Sequence, residues 1–381
     1  MSFNNDEDHI YLDLLCSNID SAPNIPSKFL TFTEIRDNPI LSNCSDFDLS
    51  IIRFQLSTNN LPVMIFPVQL GQTDPNKGTY SITLTYKNFQ YQSFIQFVSP
   101  NKNESVSPPI INQDFSNSYY EIYSYQYFIN LVNTTFQNAF NGLKALVISG
   151  SDTLPSTYYP YLDYDFNTGC ATLNADISGY NLALTNPIEI YFNIGLFTLF
   201  SSFDALYYGT NSITNGKNYK FNVLVNPNNN NILTYGNAFI PGETVISYIQ
   251  CYQEFSTLAN IAQPISSLVF TSSLLPILGS LQSRPILFNA PQSSSQQTQN
   301  STVVNMITDI TVDSTIFSGF KPTLIYNSNI YRLISLQGNA ALRSYDISVF
   351  YKDRYGNVRP FLLPCGGSAS LKIMFKKKKT N

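Results

Sequence analysis

Short runs of alternating polar and apolar residues, each closed by turn-forming residues, recur along this chain and restrict it to folds built mainly from β-strands. The clearest run covers 79–86, where Tyr80, Ile82, Leu84 and Tyr86 share one face and Thr79, Ser81, Thr83 and Thr85 the other, predicting a half-buried strand. From Asp46, Phe47, Leu49 and Ile51 fall on one face and Ser50, Ile52, Phe54 and Leu56 on the other, predicting a strand covered on both sides. The run 62–70 contains two prolines, which cannot donate to a central ladder, and reads as an edge or bent strand. A turn over Pro75–Gly78 and a strand over 91–98 complete this series.

One segment departs from period two. Tyr127, Phe128, Leu131, Val132, Phe136, Ala139, Phe140 and Leu143 recur at intervals of three and four, predicting an amphipathic helix over about 123–146 that packs on a sheet. The stretch 189–206 reads as a second helix, although 188–192 is equally compatible with a strand. A strand at 219–225 runs into an Asn-rich exposed loop at 226–231. Beyond Gly242, strand signals return at 244–252, 267–272, 303–312, 331–336, 345–351 and 368–375. They are separated by a Ser/Gln-rich loop at 291–301 and turns at 337–339 and 354–357. Alternating βα units are missing, so the pattern predicts a mainly β sandwich or jelly roll rather than a parallel α/β sheet. The helical signals cluster in the middle, which predicts a jelly-roll domain from 46–100 plus 241–375 and an inserted domain over 101–240 with one or two helices. Residues 1–45 read as an extended N-terminal arm and 376–381 as a basic C-terminal tail.

The residue inventory offers little to catalysis. His9 is the single histidine, beside Asp8 in the expected arm, so a triad base or histidine zinc ligand would rest on it alone. Cys16, Cys44, Cys170, Cys251 and Cys365 are odd in number and nowhere spaced as CxxC, predicting reduced thiols rather than a disulfide framework or zinc site. GxGxxG, GxxxxGK[ST], HExxH and GxSxG do not occur. Asp163 and Asp165 lie among aromatics, as a glycosidase pair would, but a following Asn-Thr-Gly makes them better candidates for turn caps. The expectation is a protein with no catalytic, cofactor or metal site. The acidic start carries no secretory signal, no run is long and apolar enough for a membrane span, and the sequons at Asn43, Asn103, Asn133 and Asn300 read as chance matches in a chain that stays in the cytosol.

Charged residues make up 12% of the chain, about half the usual share, and the net charge is −4, so the surface is largely neutral and polar. Such a surface suits close packing against neighbouring subunits. The sharpest charge feature is Lys376, Lys377, Lys378 and Lys379, a candidate nucleic-acid-facing tail whose phosphate contacts would be salt-sensitive and sequence-blind. Solubilisation, or protection of a hydrophobic edge, explains the same lysines equally well. Arg332, Arg343, Lys352, Arg354 and Arg359 cluster with Asp346 and Asp353, where internal or intersubunit ion pairs are as plausible as nucleic-acid contacts.

The stretches 119–133, 253–258, 264–276, 331–338 and 346–356 together resemble the minor capsid, or penton, proteins of virophages and polinton-like viruses. The resemblance spans about 46–375. It implies a virion structural protein, assembled in the host cytoplasm, with a jelly roll that forms homopentamers at icosahedral vertices and contacts trimers of the major capsid protein. Packaged DNA would be a partner through the C-terminal lysines. Other readings are a minor or major capsid protein forming trimers, or a carbohydrate- or receptor-binding β-sandwich using the loops around Tyr158, Tyr159 and Tyr161.

Overall fold

The computed structural model describes residues 9–18, 27–57, 63–67, 79–98, 119–207, 221–227, 231–235, 246–262, 264–283, 301–312, 323–328, 332–353, 358–364 and 366–379. It divides into two compact units, one from Met1–Leu61 with Pro264–Asn381 and one from Pro62–Gln263. In the first unit the chain begins with strands β1 (His9–Ser17), β2 (Ser27–Phe29), β3 (Thr31–Ile35) and β4 (Phe47–Ser57). The second unit holds β5 (Met64–Pro67), β6 (Ser81–Tyr86), β7 (Phe89–Phe94), β8 (Tyr119–Ile122), α1 (Tyr125–Ser149), β9 (Tyr161–Asp165), β10 (Cys170–Asp176) and α2 (Ile177–Tyr180). It continues with β11 (Glu189–Phe192), α3 (Ile194–Leu199), β12 (Ala205–Tyr207), β13 (Phe221–Val223), β14 (Asn231–Tyr235), β15 (Ile246–Tyr252) and α4 (Leu258–Ala262). The chain then returns to the first unit as β16 (Ile265–Thr271), β17 (Ser280–Ser283), β18 (Ser301–Val304), β19 (Met306–Thr311) and β20 (Thr323–Asn327). It ends with β21 (Ile334–Ser335), β22 (Ser344–Asp353), β23 (Val358–Pro360), β24 (Leu362–Pro364) and β25 (Ser368–Lys377).

The first unit is a sandwich of two antiparallel sheets, ordered β1-β25-β4-β20 and β19-β16-β22-β23, with β3 also pairing β22. Successive strands switch sheets, from β3 to β4 to β16 and from β19 to β20 to β22, which is the jelly-roll habit rather than a meander. Leu49, Phe54 and Leu371 from one sheet and Leu268, Phe270 and Ile347 from the other are fully buried in a shared core. Fully burying a side chain of this size stabilises by about 1.5–3 kcal/mol.

Strand β4 explains an irregular alternation. Its pairing with β25 jumps from Arg53↔Lys372 to Ile51↔Ile373, leaving Ile52 as an extra residue. The bulge reverses the phase of the pleat, so Leu49 and Ile51 before it and Phe54 and Leu56 after it all enter the same core. The two apolar faces expected here are therefore one face interrupted once.

The terminal regions also differ from the expected arm and tail. Residues 9–17 form β1, paired along its whole length with β25, while 31–35 pair β22. Ile10, Leu12, Leu14 and Cys16 pack against the core, which is why the segment is held as a strand. The compact unit that interrupts the sandwich begins at 62 and ends at 263, not at 101 and 240. Of the residues expected in the jelly roll, 81–86 pair instead with β11 of that unit and 89–94 pair with 81–86.

In the inserted unit, two sheets, β12-β13-β11-β6-β7 and β14-β15-β10-β9, share a core with α1. Phe128, Leu131, Val132, Phe136, Ala139, Phe140 and Leu143 are buried there, with Tyr127 at the margin. Asn133 fixes α1 to β9: its side chain donates to the Leu162 carbonyl at 2.9 Å and accepts from the Leu162 amide at 2.7 Å. All six residues of β6 are buried, contrary to the half-exposed strand expected from alternation: on its polar face Gln92 of β7 donates to Ser81 Oγ at 2.9 Å and Thr85 donates to Glu189 of β11 at 3.1 Å, so longer side chains of the neighbouring strands lie over the short ones of β6. The run 188–206 resolves into strand β11 followed by the short helix α3, which Asn193 caps through the Leu196 amide at 3.0 Å. Within the two-proline run 64–67 form β5, which among the described residues pairs with β8 alone and has Pro67 at its end. The predicted turns at 75–78 and 354–357 and the loop at 291–300 lie outside the described residues.

Candidate assembly surfaces

The outward face of the β1-β25-β4 sheet presents a charged row in register, Asp13↔Lys372↔Arg53. Arg53 Nη2 donates to Asp13 Oδ1 at 2.6 Å, Lys372 Nζ lies 3.6 Å from Asp13 Oδ2, and the Lys372 ammonium sits 5.4 Å from the Tyr11 ring centre. These side chains are about half exposed, so each ion pair contributes at most about 1 kcal/mol and mainly specifies the register of β1. The next row is Leu15, Ser370, Gln55 and Ile325, with Leu15 76% and Ile325 61% exposed at its ends. Because β1 is the terminal strand of its sheet, this surface combines a sheet edge with exposed apolar side chains. The signal for β1 is present in the sequence as the alternation Ile10, Leu12, Leu14, Cys16, obscured by the apolar Tyr11 and Leu15 between them.

The four C-terminal lysines are not equivalent. Lys376 lies opposite His9 on one side and Asp48 on the other, and Lys377 opposite Phe47, as the last two residues of β25. Lys378 Nζ donates to the Ser45 carbonyl at 2.7 Å and lies 3.8 Å from Asp48 Oδ1. Lys377 and Lys379 are exposed. His9 is a strand residue stacked on Tyr11, with ring centres 6.1 Å apart, instead of part of a mobile arm.

Of the basic cluster, Arg332 pairs with Asp309 at 3.0 Å. Among the described residues Asp346 meets no arginine; it accepts from Ser272 Oγ at 2.7 Å, Ser273 Oγ at 2.8 Å and the amides of Ser273 and Leu274 at 2.9 and 2.8 Å. Burial opposes its ionisation, but these donors outweigh that and hold its carboxyl below the ordinary carboxylate value. Arg354 lies outside the described residues.

Asp165 is a turn cap: it accepts from the Asn167 amide at 2.8 Å and Thr168 Oγ1 at 2.9 Å. Asp163 shares its face of β9 but accepts from Asn174 Nδ2 at 2.9 Å. Asp163 is exposed at the surface, but the protein around its carboxyl displaces enough water to push it up, and the Asn174 bond pulls it back in part. Of the tyrosines singled out by sequence, Tyr161 packs edge to face on Tyr248 at 5.7 Å, and Tyr158 offers its carbonyl to the Tyr180 hydroxyl at 3.1 Å. Among the described residues no group of three or more His, Cys, Asp or Glu side chains is placed to hold a metal ion, and no helix is long and apolar enough to cross a membrane.

The family described as Sputnik minor capsid protein V18/19 matches residues 10–377. Uncharacterized protein V18 of Sputnik virophage is 33% identical over 126 residues, covering 29% of this chain and 70% of the relative. Structural protein V19 of the same virophage is 30% identical over 231 residues, covering 56% of this chain and 93% of the relative. A chain of the 3.5 Å cryo-EM structure of the Sputnik virophage superposes with a TM-score of 0.76 at 25% identity, over 97% of this chain and 98% of that one. The crystal structure of the mavirus penton protein shares the fold, with a TM-score of 0.61 at 15% identity over 97% and 99% of the two chains.

Proposed function

This chain belongs to the Sputnik minor capsid protein V18/19 family and is a structural capsid protein; from that membership we propose that it is the vertex, or penton, subunit of an icosahedral virion and assembles as homopentamers. The observation that carries the reading is a fold shared with the mavirus penton protein along nearly the whole chain. The jelly roll supplies a rigid body, and its register-locked sheet face and exposed edge strand supply the lateral contact. Trimers of the major capsid protein are the neighbours around each pentamer, with assembly in the host cytoplasm. The chain acts through its surfaces and performs no catalysis.

The C-terminal lysines take a reduced role in this proposal. Lys376 and Lys378 face Asp48 and complete the sandwich, whereas Lys377 and Lys379 are exposed and contact packaged DNA through phosphates. The experiment that tests the assembly reading is the oligomeric mass of the purified chain at low salt. Pentamers support it, while trimers would favour a different shell position.

A further inference from the structure

The outward face of β9, β10 and β15 differs in chemistry from the assembly surface. Alternation sends Leu162, Ala171, Leu173, Ala175, Ile249 and Cys251 into the core. The opposite face then carries Asp163, Thr172 and Tyr252 in one cross-strand row and Tyr161, Asn174 and Gln250 in the next. These six positions hold neither a cation nor an aliphatic side chain longer than threonine.

A single chain of hydrogen bonds orders this face. Tyr252 Oη donates to Gln250 Oε1 at 2.5 Å, Gln250 Nε2 to Asn174 Oδ1 at 2.8 Å, and Asn174 Nδ2 to Asp163 Oδ2 at 2.9 Å. Each donor is used in the same direction, so both buried amides have one orientation and the relay ends at a carboxylate. Asn174 and Gln250 are buried beneath, while Asp163 is exposed and Tyr252 is 46% exposed. Asp163 Oδ1 accepts no hydrogen bond among the described residues, and Asp163 is an exposed residue in the row next to half-buried Tyr161. Across three strands Asp163 and Tyr252 stand about 10 Å apart.

We propose that Asp163, Thr172 and Tyr252, flanked by Tyr161, form a binding site for a neutral carbohydrate. Carboxylate and hydroxyl groups match the donors and acceptors of a polyol, and phenol rings offer flat apolar surface to its C–H face. Among these residues an anionic ligand finds no positive partner and an apolar peptide finds no aliphatic side chain. The site belongs to the inserted unit and does not depend on the oligomeric state of the protein.

The test is retention of the labelled full-length protein on an array of neutral oligosaccharides, with Asp163→Asn, Tyr252→Ala and, as a control on the outer face of α1, Leu146→Ala. Thermal unfolding of each variant confirms that it is folded; Asp163→Asn changes an exposed group and carries the result if Tyr252→Ala does not fold. The proposal expects retention on one class of neutral glycan, at least a tenfold loss in Asp163→Asn and Tyr252→Ala, no change in Leu146→Ala, and no loss on raising salt. It is overturned if no neutral glycan is retained, if folded Asp163→Asn binds as the parent does, or if binding is confined to acidic glycans and removed by salt.

Discussion

Phe54 and Phe270 meet edge to face, with ring centres 4.9 Å apart and planes inclined at 83°, and so join the two sheets of the jelly roll at its centre. Both rings are fully buried. Phe54 reaches this position only because the bulge at Ile52 reverses the phase of β4. Phe54→Ala removes the contact and leaves a cavity, with an expected loss of about 3–5 kcal/mol. Chemical denaturation of the variant against the parent measures it; a loss below about 1 kcal/mol would mean that the sheets do not pack through this pair.

The hydroxyl of Thr83 is buried on the second face of β6 and has no hydrogen-bond partner among the described residues. Replacing it with a methyl group removes an unmet desolvation cost. Thr83→Val is expected to stabilise the protein by about 1–3 kcal/mol, read from the shift of the denaturation midpoint at unchanged slope.

Asn133 satisfies both the amide and the carbonyl of Leu162 from the middle of α1. Asn133→Ala strands both groups next to a buried strand and is expected to cost about 2–4 kcal/mol. Asn133→Asp keeps one acceptor for the amide but sets a carboxylate against the carbonyl, so denaturation curves should place it no higher than the alanine variant at neutral pH.

Asp346 ties the turn at 272–275 to β22 through side-chain and backbone donors that hold its carboxyl below the ordinary value. With a folded pKa below the unfolded one, the unfolded chain takes up the proton first. The stability contributed is therefore complete above the ordinary carboxylate value of about 4 and is lost as pH falls through the lower folded value. Stability measured from pH 6 down to pH 2 should fall less steeply for Asp346→Asn than for the parent. Equal slopes would show that this carboxylate does not govern the acid limb.

How far the sequence reveals these features depends on whether the responsible forces are local. Helix α1 is legible because Phe128, Val132, Phe136 and Leu143 bury a continuous stripe within one element. Strand β25 is legible because Leu371, Ile373 and Phe375 alternate toward the core. Strand β1 is not, since its partner lies more than 350 positions away and Tyr11 and Leu15 blur its alternation. The buried second face of β6 is equally hidden: Ser81, Thr83 and Thr85 are polar, and the side chains that meet them, Gln92 of β7 and Glu189 of β11, are brought there by strand pairing. On the candidate surfaces, sequence singled out Tyr161 and Asp163 but not Asn174, Gln250 or Tyr252, which join them only through sheet register.

Exposed Lys377 and Lys379 give the nucleic-acid proposal a quantitative form. Replacing both with glutamine should lower the salt dependence of binding to duplex DNA by nearly two in the slope of log K against log salt, without preference for sequence. An unchanged slope would remove these lysines from any DNA contact.

The central claim, that this capsid protein forms the vertex of the shell, is tested most directly by imaging the purified full-length chain in negative stain at low salt. Five-fold rings with a mass five times that of the chain are the predicted result. A population of stable trimers, or of monomers that persist at high concentration, would contradict it.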